Sequence, residues 1–292
     1  MLIAIAASLA AGACFAVAGV LQQHEASARP NEEAMRFRLL AALARRRRWL
    51  VGLGLAVLSY AFQMLALANG PLILVQPLVT TELVFAIPLA ARLRGCRIGL
   101  REWSGGIAVA VGLAAALAAA RPGGGSPVAS TGGWLLTIGV VAALTAVTLT
   151  LSRCFSGSPR ASLVALAAGL TMGTQSALLA VTVHRLGAGA AVLFTAWQTY
   201  LLVLVSIAGL VLIQTAYQVG PLAASAPVID AAEPLVAVVI GVALFGESVR
   251  TGWAAGTVTG AGLLLLLAGI VLLDTSPMLA ALHEREEAAR PA

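Results

Sequence analysis

The sequence contains no lysine, and only 10% of its 292 residues are charged. Soluble globular chains carry about 25%, so an ordinary water-facing surface is excluded for most of this chain. Histidine is scarce as well. His24, His184 and His283 lie far apart, and the His-Glu-x-x-His spacing of a zinc hydrolase is absent. Cys14, Cys96 and Cys154 form neither a disulfide framework nor a metal-ligand spacing. An intramembrane aspartyl hydrolase would want a Gly-x-Gly-Asp motif, and an ATP-driven pump an ATP-binding loop; neither occurs. The chain is therefore read as a non-enzyme with no catalytic residue, no cofactor and no resident metal.

What fills the chain instead is apolar. Hydrophobic residues make up 60% of it, and the mean hydropathy is +0.96. Runs of about 18 residues or more span a bilayer as a helix. Nine are read here: 2–22, 49–68, 72–91, 103–120, 132–151, 162–182, 194–216, 222–245 and 253–273. Connections between most of them are short, so no soluble domain is expected. The expected fold is an all-α polytopic membrane protein, multi-pass in a cell inner (plasma) membrane. The first run could be a cleaved signal peptide, but it lacks a positively charged leader region and is read as a retained span.

The formal charge is +6, and every basic residue is Arg. Their distribution argues for topology and against nucleic acid. Seven lie between the first two spans, ending in Arg45-Arg46-Arg47-Arg48. Four lie in 92–102, two in 152–161 and two in the tail, while the alternate loops carry just Arg121, Arg185 and Arg250. By the positive-inside rule the N-terminus is outside and the C-terminus inside. Segment 24–48 is then cytoplasmic, with a short amphipathic helix over 32–40 against the membrane face; 121–131 is a flexible external linker, and 274–292 a cytoplasmic tail. Thiol labelling from outside is expected to modify Ser126→Cys and spare Leu40→Cys in single-cysteine variants; the reverse pattern would refute this orientation.

A block of residues recurs 150 positions on. Gly70-Pro71-Leu72 with Pro77 returns as Gly220-Pro221-Leu222 with Pro227, and Trp103, Gly106 and Gly112 return as Trp253, Gly256 and Gly262. Five crossings separate the copies, so the repeat is inverted: residues 1–120 form one half (four spans) and 132–273 the other (five spans). Paired Pro-interrupted segments in two inverted halves point to the binding region of a secondary transporter.

Three acidic residues fall inside the spans: Glu82, Asp230 and Glu233. A carboxylate at that depth costs roughly 2.5–3.5 kcal/mol on insertion scales, so its presence asks for a use. Asp230 and Glu233 are three apart and share a helix face; Glu82 aligns with Ala232 under the repeat. No Lys or Arg lies within the spans to neutralise them. Their compensating charge is then a proton, a cationic substrate or a bound ion, the alternative being a protonated carboxyl hydrogen-bonded across the bundle. Pro77, Pro227 and Pro234 would each free a backbone carbonyl in a helix, which suits either a binding site or a packing kink. Gln63, Gln76, Thr80, Gln214 and Tyr217 are candidates to line a cavity, against interhelical hydrogen bonding as the commoner use. Trp49, Trp103, Trp134, Trp197 and Trp253 at span ends read as an aromatic belt. Gly169/Gly173 and Gly256/Gly260, each four apart, read as close helix contacts.

Residues 220–249, with Glu233-Pro234 inside a span and Gly246-Glu247 at its end, resemble the penultimate helix of EamA-type permeases of the drug/metabolite transporter superfamily. In the first half Gly95-Cys96-Arg97 stands where that family has a Gly-Glu. The resemblance implies ten spans in two five-helix halves, with the second span of the first half here replaced by segment 24–48. The nine-span layout and Pro71-Leu72-Ile73-Leu74-Val75-Gln76-Pro77-Leu78 are similar to the NIPA-type branch, which is associated with magnesium. Where that branch carries an acidic residue in the preceding helix, this chain offers Gln63 and Asn69. The leading expectation is a secondary carrier of a small metabolite or cationic compound, proton-coupled by alternating access. A divalent-cation (magnesium) permease is the runner-up, and a non-transporting scaffold or regulatory protein is the alternative of another class. The expected partners are that substrate and the lipid bilayer, with a homodimer left open.

Overall fold

The structure, a computed structural model, describes residues 1–26, 43–82, 84, 85, 89, 99–220, 222–250 and 252–274. The amphipathic reading of 32–40, much of the third expected span and the tail beyond 274 lie outside these residues. The chain is a polytopic α-helical membrane protein: seven described helices are long and apolar enough to cross a bilayer. They are α1 (Leu2–Ala26), α2 (Arg47–Leu67), α4 (Leu100–Ala120), α5 (Thr131–Ser152), α6 (Gly157–Gly187), α8 (Trp197–Val219) and α10 (Trp253–Asp274). Three further helices are described: the short α3 (Leu72–Val79) and α7 (Ala190–Thr195), and α9 (Leu222–Ala243), which carries Asp230 and Glu233.

Local chemistry sets several of the ends. Ser130 caps α5 by accepting the N–H of Gly133 at 3.1 Å. Pro71 sits at the N-cap of α3 with an extended backbone, which suits a residue without a free N–H. α4 ends where Arg121 turns left-handed at φ 41°.

α6 is the centre of the bundle. Of its most apolar stretch 89% is buried within the protein, against 6% for α5. α5 therefore leaves almost all of its surface uncovered by the rest of the chain, packing chiefly along α6. Glycines reveal how the helices run. A Cβ on Gly112 would sit 2.6 Å from the carbonyl oxygen of Gly262, and one on Gly269 would sit 2.8 Å from that of Gly105. α4 and α10 therefore cross antiparallel, backbone to backbone. α1 and α2 are also antiparallel, since Gly52 packs on Ala18 and the Ser59 hydroxyl donates to the Ala11 carbonyl. α6 and α8 are antiparallel, with Gly209 on Met172 and Gly220 on Ala161. By contrast α1 runs parallel to α3, and α6 parallel to α9.

Because the obstacle at Gly112 is backbone, no rotamer change relieves it. Gly112→Val is expected to lower stability by about 1–3 kcal/mol through overpacking, read as a fall in the thermal midpoint in detergent. An unchanged midpoint would mean that α4 and α10 do not pack this closely.

Two expectations are revised here. Trp49 and Trp134 are buried, at 3% and 0% exposure, rather than standing in an interfacial belt. Trp134 packs edge-on to Trp197 at 6.1 Å and against Phe245 at 6.0 Å, while Trp103 and Trp253 do remain exposed. The linker read as flexible is pinned. Gly123 and Ser248 exchange backbone hydrogen bonds of 3.1 and 2.9 Å, and the Ser126 N–H reaches the Phe245 carbonyl at 2.9 Å.

Candidate functional site

Buried amides place the centre of the site. On α2, Gln63 lies one turn beyond Tyr60; on α3, Gln76 sits just before Pro77. Gln63 Nε2 donates to Gln76 Oε1 at 3.1 Å, and Gln76 Nε2 donates to Glu233 Oε1 at 2.7 Å. Ser176 on α6 approaches the same carboxylate oxygen at 3.4 Å. A single hydrogen-bonded chain thus joins α2, α3, α6 and α9. Each buried amide satisfies part of its polarity by orienting the next group.

Close helix packing brings the carboxylate there. A Cβ on Gly173 would lie 2.6 Å from the Glu233 carbonyl oxygen, and one on Gly169 would lie 2.6 Å from the Ala232 Cβ. With no side chains at these positions, α9 rests directly on α6. The close contact expected from the spacing of Gly169 and Gly173 is therefore present. Gly256 and Gly260 have the same spacing and nothing within 4 Å, so they leave open room on α10.

Glu233 faces a cavity of about 310 Å³, at the small end of ligand-site volumes. Glu82 and Asp230 line the same cavity, with Gln76, Thr80 and Tyr217. The three carboxylates read from the sequence as lying within spans therefore converge on one space, and among the described residues no Lys, Arg or His lines it. Apolar and aromatic walls complete it: Phe15 and Tyr60 meet edge to face at 5.0 Å, and Met172, Leu210 and Ile229 close the sides. Aromatic faces beside carboxylates suit a cation with an apolar body.

Other candidates fall elsewhere. Gln63 stands behind Gln76 rather than in the cavity wall, and so acts through it. Gln214 is fully buried and donates to Gln22 at 3.3 Å, so it joins α8 to α1, although Gln22 itself lines the cavity. Pro77 and Pro234 are buried without lining the cavity, and the side chain of Pro227 lies outside the described residues. Phe15, Tyr60, Gln22 and Ser176 belong to the site but escape a reading of the sequence. For Tyr60 a signal exists, since positions 60 and 63 share a face of α2.

The cavity lies toward one end of the bundle. Its walls come from the second halves of α1 and α8, the first half and middle of α2, and the first half of α9. That is the end at which Glu25 and Arg46 approach to 3.9 Å.

At the opposite end sits Glu247, just after α9 and only 7% exposed. Its two oxygens accept the backbone N–H groups of Leu72 and Ile73, each at 2.8 Å. These are among the N-terminal donors that a helix cannot satisfy internally. Burial pushes the Glu247 carboxyl above the ordinary glutamate range, and the two N–H donors pull it back.

The chain is 29% identical over 284 residues to an uncharacterized protein of Corynebacterium glutamicum. The alignment covers 95% of this chain and 96% of that protein, so the similarity runs nearly end to end. No protein-family model matches the chain, and no solved structure matches it.

Proposed function

We propose that the chain is a secondary-active transporter of the drug/metabolite type, moving a small metabolite or cationic compound in exchange for protons. One observation carries the reading. Asp230 and Glu233 from the second half and Glu82 from the first line one cavity, and among the described residues no basic side chain lines it. Charge neutrality at Asp230 and Glu233 is met in this reading by a proton or by a positively charged guest, and competition between the two couples their movements. Apolar walls and aromatic faces favour an organic guest. That preference sets the magnesium reading second.

Alternating access in this proposal uses an inverted repeat of nine spans, and the packing supports it. The antiparallel pair α1–α2 matches α6–α8, and the parallel pair α1–α3 matches α6–α9. Gly112 and Gly262, which the repeat equates, meet across the α4–α10 contact. These pairings make α1 the counterpart of α6; among the described residues the peripheral α5 has none. Under this reading the end bearing segment 24–48 is cytoplasmic, and the cavity faces inward.

Flux into proteoliposomes under an imposed pH gradient tests the proposal, with a panel of amines, neutral metabolites and magnesium. Proton-driven flux of an organic compound is expected. Flux of magnesium alone would favour the second reading, and no flux from correctly inserted protein would refute transport.

A further inference from the structure

A second cavity, of about 380 Å³, lies at the other end of the bundle. The end of α2, the start of α3, the linker glycines Gly124 and Gly125, and His184 near the end of α6 surround it, with Glu247 in its wall. Leu72 belongs to this cavity and Gln76 to the inner one. They stand four positions apart on one helix, a rise of about 6 Å at 1.5 Å per residue. Leu72 packs with Ala177, Leu178 and Ala237 in one buried apolar cluster, while Leu74 and Val75 of that turn are buried in two others. Only a thin apolar barrier stands between the two cavities.

We propose that the second cavity is the outer mouth of the same pathway, and that Glu247 is the latch that holds it shut. The inference rests on the transporter reading above. Glu247 belongs to the connection between α9 and α10, whereas the helix it grips lies in the first half of the chain. The grip therefore spans the two halves at the outer end. An anion bound to the first N–H groups of a helix also gains from the helix dipole. The pocket for this carboxylate is built on two sides. A Cβ on Gly241 would sit 2.6 Å from its Oε2, and one on Gly125, whose φ is +77°, would sit 2.6 Å from its Cγ. The hydrogen-bonded linker lies across it. One turn inward, Glu233 grips the same α3 through Gln76. Opening the pathway outward requires the first turn of α3 to leave Glu247, whereas the inner cavity is already open without that movement.

Accessibility of single cysteines in the full reconstituted chain tests the latch. In a background of Cys14→Ser, Cys96→Ser and Cys154→Ser, Ala177→Cys reports on the barrier and Ala56→Cys on the inner cavity. Glu247→Gln keeps the size and one acceptor but loses the charge and the second acceptor. A membrane-impermeant thiol reagent applied outside is expected to label Ala177→Cys about tenfold faster in that variant, the shift from losing one charge-assisted bond. Labelling of Ala56→Cys from inside should fall in parallel. Unchanged rates at both positions, or a rise at both as local unfolding would give, overturns the proposal.

A second variant covers the case in which Glu247→Gln fails to fold. Gly123→Cys with Ser248→Cys places a disulfide across a hydrogen-bonded antiparallel pair, fixing the linker over the closed mouth. Flux of the compound found in the panel should stop on oxidation and return on reduction. Undiminished flux in the oxidised form refutes the latch. Absence of flux from the parent chain itself refutes the transporter reading instead, and the labelling rates still judge the latch.

Discussion

Glu233→Gln is expected to abolish proton-driven flux while leaving the chain folded and inserted. The amide keeps the side-chain volume, and its oxygen can still accept from Gln76 Nε2, which now donates to the carboxylate at 2.7 Å. The α2–α3–α9 connection therefore survives. What disappears, on the proposed function, is the group that exchanges a proton for a guest. A charged carboxylate there costs roughly 2.5–3.5 kcal/mol, so the neutral variant should be no less stable. Its thermal midpoint should match or exceed that of the native chain. Asp230→Asn and Glu82→Gln are expected to weaken flux less, because neither makes the contact through which Gln76 reports to α2. If the Glu233→Gln protein carried its substrate with the native pH dependence, coupling would have to lie elsewhere. A fall in stability together with flux would instead identify Glu233 as a structural hydrogen-bond acceptor.

Why these carboxylates are visible in the sequence, and much else is not, follows from the solvent. Lipid is as apolar as Leu, so hydrophobic periodicity does not separate a lipid-facing side from a protein-facing one. α5 and α6 read alike as apolar runs, yet one is at the rim and the other at the centre. Polar atoms are different, because each one in the membrane must find a partner. Glu82, Asp230, Glu233 and Gln76 can be named for that reason before any fold is known. Their partners cannot. Gln214 satisfies the same criterion and binds Gln22, joining α8 to α1 at 3.3 Å. Trp134 meets the sequence pattern of an interfacial aromatic but lies in a core with Trp197 and Phe245. Glu247 stands out only as the second residue of a Gly-Glu pair, since its partners lie 175 and 174 positions away. The linker's glycines suggest freedom; at Gly125 the positive φ instead lets the chain pass against Glu247.

Glycine is where sequence and structure part most sharply, and a paired substitution makes this measurable. Gly173→Ala is expected to destabilise the chain by about 1–3 kcal/mol and to remove most of its flux. Its Cβ would meet the Glu233 carbonyl oxygen at 2.6 Å and the Val236 Cβ at 2.7 Å. Neither atom moves without shifting the α9 backbone. Such a shift carries Glu233 away from Gln76 and Ser176, so the site should fail even where the protein still folds. Gly256→Ala and Gly260→Ala share the same four-residue motif but meet nothing within 4 Å. They should be neutral, or stabilising by up to about 1 kcal/mol from the better helix propensity of Ala. Thermal midpoints of the three variants, with flux measured at equal protein in the vesicles, decide the matter. Equal effects at all three positions would show that the α6–α9 contact does not position the carboxylate. Loss of flux at Gly173 alone, with insertion intact, would tie the chemistry of Glu233 to the absence of a single methyl group on the facing helix.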